Sequence, residues 1–187
     1  MADKSGYGNW LKQDMGALID ALDLSEMQKH FMRSRWLDQV LYMEARSKTA
    51  QGWYYRLRVT TIVAGVIVPG LVSLNIADNA LATSIRVFTF ALSLLVGISA
   101  AVEQFFNFGE RWRHYRQTSE MMKIEGWSFF QLSGAYQRAK SHAEAYREFA
   151  SRVESVIQHD VEVYVSEVTK EKKEEKDQQQ EPTGASA

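Results

Sequence analysis

Apolar and small residues recur along the first third of the chain at Trp36, Val40, Met43, Ser47, Ala50, Tyr54 and Leu57, alternately four and three positions apart. That spacing predicts a helix that buries one stripe against a partner. The stripe then dissolves into "VTTIVAGVIVPGLVSLNIA", residues 59–77, nineteen positions without a formal charge. A helix needs roughly 20 apolar residues to cross a bilayer core, so a first membrane span is expected here. A second uncharged run, residues 87–102, lies between Arg86 and Glu103. It is short alone, but Arg86 can snorkel outward and "QFFNF" supplies interfacial aromatics, which extends the expected span to 84–105.

Beyond the second run the same four-and-three spacing passes through Phe105, Phe108, Trp112, Tyr115, Ser119, Met122, Gly126 and Phe129. This predicts a span that continues as one unbroken helix. "LSGAY", 132–136, interrupts with a glycine, and a third stripe is read through Tyr136, Ala139, Ala143, Tyr146, Ala150, Val153, Ile157, Asp160 and Tyr164. Three matching seams can be buried together. The fold class expected is all-α: an integral membrane protein with a two-helix transmembrane hairpin and a cytoplasmic helical bundle, formed by long extensions of the spans and a C-terminal helix. Residues 1–25 form an N-terminal segment, either an amphipathic helix on the membrane surface or a cap on the bundle. The two-span domain covers 26–168. The tail 169–187, "KEKKEEKDQQQEPTGASA" from Lys170 on, is too polar to bury a core and is expected to be disordered or frayed helix. The rival is a soluble bundle with two buried helices; neither run has the polar face usual for a globular helix of that length.

Basic residues set the orientation. Arg46, Lys48, Arg56 and Arg58 precede the first span, Arg111, Arg113, Arg116 and Lys123 follow the second, and the connection carries none before Arg86. The positive-inside tendency places both termini in the cytoplasm. The early acidic and basic residues, without an apolar core and cleavage site, argue against a cleavable signal peptide. Composition adds exclusions: among 187 residues the net charge is −1, which points to no nucleic-acid partner, and there is no cysteine for a disulfide, thiolate metal site or nucleophile. His30, His114, His142 and His159 lack metal-site spacing and read as surface histidines. No metal, cofactor or enzymatic activity is expected. Pro69 is expected to kink the first span, because it removes a hydrogen bond to the carbonyl of Gly65.

On a continuous helical wheel Ser99, Glu103, Asn107, Glu110 and His114 form one polar stripe. The seam through Ala101, Phe105, Phe108 and Trp112 is offset by two residues, about 200° around the helix. The stripe is therefore expected to face away from the intramolecular core, with Ser99, Glu103, Asn107 and Glu110 as pore-lining candidates. The plainer reading puts Glu103 at headgroup depth, solvated or bonded to Arg111 or another neighbour. Ser93, Gly97 and Ala101 form a small-xxx-small ladder suited to close helix packing or oligomer contact.

"ERWRHYRQTSEMMKIEGWSFFQLSGAY", 110–136, resembles the signature after the second transmembrane helix of the bacterial domain of unknown function 4231 family, related to the SLATT two-transmembrane effector domains. The positions that match are Trp112, Tyr115, Arg116, Thr118, Glu120, Lys123, Glu125, Gly134 and Tyr136. "RWLDQVLYMEARSKTAQGWYYRLR", 35–58, resembles the family's helix into the first span. The resemblance implies a homo-oligomer in the bacterial inner membrane that forms a pore, here expected to pass cations. No fused sensor domain is found in this sequence, which weakens the effector reading. The motif residues also have a structural reading: Trp112 and Tyr115 as bundle core, Arg116 as partner of a carboxylate on a neighbouring helix. The alternative function is a non-conducting membrane scaffold or adaptor whose bundle recruits a partner.

Overall fold

The computed structural model describes residues 6–74 and 79–180, and all regular structure among them is helical. Helix α1 spans Gly6–Ala21 and α2 Glu26–Phe31; a π-helical turn, Met32–Leu37, leads directly into α3, Asp38–Val72. Helices α4, Asn79–Phe106, and α5, Phe108–Phe130, follow. A 3₁₀ turn, Gly134–Tyr136, precedes α6, His142–Gln180. Ser25 starts α2 through a capping box: the Gln28 amide donates to Ser25 Oγ at 3.4 Å and the Ser25 amide to Gln28 Oε1 at 2.9 Å.

The chain divides into two compact units, with boundaries inside α3 and α5. The first contains the described residues up to Val40 and from Glu120 onward. Leu11, Met15 and Ile19, one face of α1, are buried there, so the amphipathic stripe of the N-terminal helix is occupied within the unit. The π turn buries Met32, Trp36 and Leu37 on one side of a widened helical turn. Trp36 Nε1 donates to the Met122 carbonyl at 3.0 Å. Phe129 stacks on Phe149 with ring centroids 4.4 Å apart, and Arg35 forks onto Glu154 with two 2.8 Å hydrogen bonds.

The third stripe requires correction. Helix α6 begins only at His142, and its buried positions are Ala145, Phe149, Val153 and Ile157, whereas Ala143 is exposed. The turn around Gly134 separates Tyr136 from the helix and resets its phase. His142 is half-buried with Nε2 3.1 Å from the Phe130 carbonyl, so it is not a surface histidine. The charged stretch from residue 169 is helical to Gln180, in keeping with its Lys, Glu and Gln content; residues 181–187 of the expected tail lie outside the described residues.

The second unit, Leu41–Ser119, holds both apolar helices. The first seam is present: Met43, Ser47 and Ala50 are buried and Tyr54 and Leu57 half-buried. Two helical stretches, ending at Val72 and Phe106, are long and apolar enough to cross a membrane, and only 6% of each apolar window is buried. Within the single chain both apolar stretches are therefore largely uncovered, unlike the mostly buried core helix of a soluble protein. The end of the first predicted span, residues 75–77, lies outside the described residues. Pro69 sits inside α3, which continues to Val72.

The expected continuous helix from span to bundle is interrupted. Asn107 adopts φ 48°, in the left-handed region, between α4 and α5. Its amide closes the last turn of α4 on the Glu103 carbonyl at 3.0 Å, and its carbonyl receives the Arg111 amide of α5 at 3.0 Å. Asparagine is among the few non-glycine residues that tolerate this conformation.

Candidate functional site

The break at Asn107 rearranges the predicted polar stripe. The less exposed residues among the described side chains of α4 are Ala82, Ile85, Thr89, Leu92, Val96, Ser99, Val102 and Glu103, at steps of three and four that end on the adjacent pair Val102 and Glu103. Ser99 is 4% exposed and Glu103 half-buried, so both lie on the face shielded within the unit. Ala101 is exposed and Phe105 is 78% exposed, although both were expected on the seam. Ser99 and Glu103 therefore do not face away from the core, because the seam of α5 cannot be extrapolated through a left-handed residue. Asn107 and Glu110 are exposed, and Glu110 belongs to α5, so the four pore-lining candidates share no single helix face. Among the described residues Glu103 has no ion pair, with Arg111 or any other cation.

The ladder Ser93, Gly97 and Ala101 lies on the open side of α4. A Cβ added at Gly97 would meet no atom within 4 Å. The Ser93 hydroxyl is satisfied within the helix, donating to the Thr89 carbonyl at 2.8 Å. This face is thus free of intramolecular packing.

The motif positions are brought together as structural networks, one set in each unit. In the Leu41–Ser119 unit, Trp112 stacks on Tyr54 with centroids 6.1 Å apart and lies 5.9 Å from Tyr55. Gly109 permits this approach, since a Cβ there would stand 2.9 Å from the Tyr54 ring. Tyr115 is half-buried, its ring 5.9 Å from that of His114. Arg116 pairs with Glu44 at 3.5 Å, and the Ser119 hydroxyl donates to the same carboxylate oxygen at 3.2 Å. Glu44 is buried and Lys48 stands 4.0 Å from its other oxygen, so two cations offset its desolvation. Thr118 is buried beside this group in sequence.

In the other unit, Lys123 binds Glu120 one turn away at 2.9 Å. Glu125 receives a fork from Arg152, at 2.6 and 3.1 Å, and the Tyr136 hydroxyl donates to the same carboxylate. Burial of Tyr136, reinforced by its hydrogen bond to Glu125, holds its phenol protonated well above the usual tyrosine range. Hydrogen bonding to Glu125 raises Arg152. Hydrogen bonding to Arg35 lowers the Glu154 carboxyl below its ordinary range. Gly134 takes φ 59°, which aligns the turn that delivers Tyr136 into the core. The Gly-x-Tyr signature is therefore a turn with its anchor.

Sequence reasoning missed Glu44, Gly109 and Arg152. Glu44 was legible in hindsight only by spacing, four residues after Val40 and three before Ser47, all of which are buried.

A family model described as "Protein of unknown function (DUF4231)" matches residues 38–144, from the start of α3 into α6. The chain belongs to that family. No curated protein and no solved structure matches it.

Proposed function

We propose, starting from membership of this family, that the chain is a two-span bacterial inner-membrane protein with both termini in the cytoplasm. It assembles as a homo-oligomer through the open face of α4 and acts as a non-conducting scaffold whose helical bundle recruits a partner. The observation that carries this reading is the division of α4 into two faces. The open face offers Ser93, Gly97 and Ala101 among exposed Phe90, Leu94 and Ile98, which suits packing of a second copy in lipid. The polar Ser99 and Glu103 lie on the shielded face, where they are poorly placed to line an axis shared by several copies. The motif residues support the same reading, since they serve bundle integrity. The chemistry at hand includes no group of three or more metal-ligating side chains among the described residues.

A second reading, a cation-permeable pore, is favoured by Glu103 itself, a half-shielded carboxylate at the end of a span without an ion pair among the described residues. Acidic rings concentrate cations in channels. Purified protein in a planar bilayer under a salt gradient separates the two. The scaffold reading expects no single-channel currents beyond those of protein-free membranes. Cation-selective currents whose reversal potential shifts in Glu103→Gln would overturn it in favour of the pore.

A further inference from the structure

We infer that four arginines at the base of the hairpin form a collar that binds the phosphate-bearing headgroups of anionic phospholipids; the inference rests on the membrane reading above. Arg56 and Arg58 of α3 and Arg111 and Arg113 of α5 are all exposed. Among the described residues none of the four has an ion pair, whereas neighbouring Arg116 is committed to Glu44.

Ring contacts fix the register of the two helices. Tyr54 and Tyr55 both lie against Trp112, at 6.1 and 5.9 Å. Arg56 and Arg58 follow Tyr54 by two and four positions, and Arg111 and Arg113 flank Trp112, so the four fall within about two helical turns of one another. Trp53 underlies this level: it is 47% exposed, stacks on Phe108 at 6.1 Å, and carries the Arg56 guanidinium 6.0 Å above its ring. Immediately beyond, Val59, Ile62 and Val63 on α3 and Phe105 on α4 are exposed. Guanidiniums and aromatic rings are thus interleaved at one level, next to the hydrocarbon-like surface, as suits an interface where headgroups meet acyl chains.

Two carboxylates share this stretch, Glu103 and Glu110, leaving the four arginines with a surplus of positive charge. Surplus charge separates an anionic headgroup from a zwitterionic one, and guanidinium adds bidentate geometry that matches phosphate oxygens. A basic side chain at a membrane surface favours anionic lipid by about fivefold.

The test uses the full-length chain in phosphatidylcholine vesicles containing a minor fraction of lipid that carries a nitroxide high on one acyl chain. The labelled lipid is either phosphatidylglycerol or phosphatidylcholine, and quenching of tryptophan fluorescence is read. Labelled phosphatidylglycerol is expected to quench with an apparent affinity higher by about fivefold or more. That preference should shrink in each of R56Q/R58Q and R111Q/R113Q and vanish in the quadruple variant. Either double variant suffices if the quadruple one loses its helical circular dichroism. Equal quenching by the two lipids in the wild-type chain, or an undiminished preference in folded variants, would overturn the collar while leaving insertion intact. Absence of quenching by both lipids would overturn the membrane reading together with the collar.

Discussion

Gly126 has a bulky neighbour that defines its role. A methyl group added there would collide with Trp36 Cζ2, and the indole has little room to retreat: its N–H is held by the Met122 carbonyl, and Phe130 and Phe149 meet it edge-on. Overpacking of this kind costs about 1–3 kcal/mol, against about 1 kcal/mol of helix propensity gained from alanine. Gly126→Ala should therefore lower the thermal midpoint followed by circular dichroism in detergent, and Trp36→Phe should be better tolerated in that background than in the wild type. A midpoint raised by Gly126→Ala would contradict this packing. Tyr136 gives the pH prediction at this scale. Its folded phenol holds its proton above the ordinary value, so its share of stability is complete below about pH 10 and is lost as pH rises beyond. Of the eight tyrosines, Tyr136 should be silent in an absorbance titration of the folded protein up to about pH 11. Tyr136→Phe should leave that folded titration unchanged while removing one-eighth of the amplitude in denaturant. Residues of this kind were partly legible. The Gly-x-Tyr pair stood out by pattern, but Glu44 did not, because a carboxylate beside a seam looks the same in sequence whether it is solvated or held by an arginine 72 positions away.

The helices that carry the three seams were predicted in type, and the errors in their seams have one physical source. A hydrophobic period reports which residues share a face only while the backbone stays right-handed and regular. The first seam runs from the π turn through the start of α3, and its positions Trp36, Val40, Met43, Ser47 and Ala50 are all buried. The second seam holds from Phe108 onward but fails before it, since Asn107 turns left-handed and shifts the phase by which Ala101 and Phe105 were assigned. Asparagine in the interior of an apolar-to-polar transition carries no breaker signal comparable to proline, so the break was invisible to periodicity. Its substitution tests the geometry. An L-residue pays about 1–2 kcal/mol in the left-handed region, which glycine avoids and a β-branched residue suffers most. Asn107→Val should lower the thermal midpoint and Asn107→Gly should not. Equal stability of the two variants would mean that α4 and α5 run through residue 107 as one right-handed helix.

At the scale of the whole molecule, the proposed assembly turns on which surface a second copy would use. Both apolar helices carry glycines with open space around them, Gly65 on α3 and Gly97 on α4. Only Gly97 is flanked at four-residue spacing by two further small, exposed residues, Ser93 and Ala101. Small residues in that spacing let helix backbones approach closely, where van der Waals contact replaces lipid; a lone glycine offers no such groove. Bulk introduced at the two sites should then have unequal consequences. Gly97→Leu is expected to shift the purified protein in mild detergent toward monomer, with the mass read by light scattering, and Gly65→Leu is expected to leave the oligomer population as it is. Both substitutions point into open space in the single chain, so helical content and thermal midpoint should stay close to wild type for each. Loss of assembly in Gly65→Leu with Gly97→Leu unaffected would move the interface to α3 and detach the ladder from the proposed oligomer.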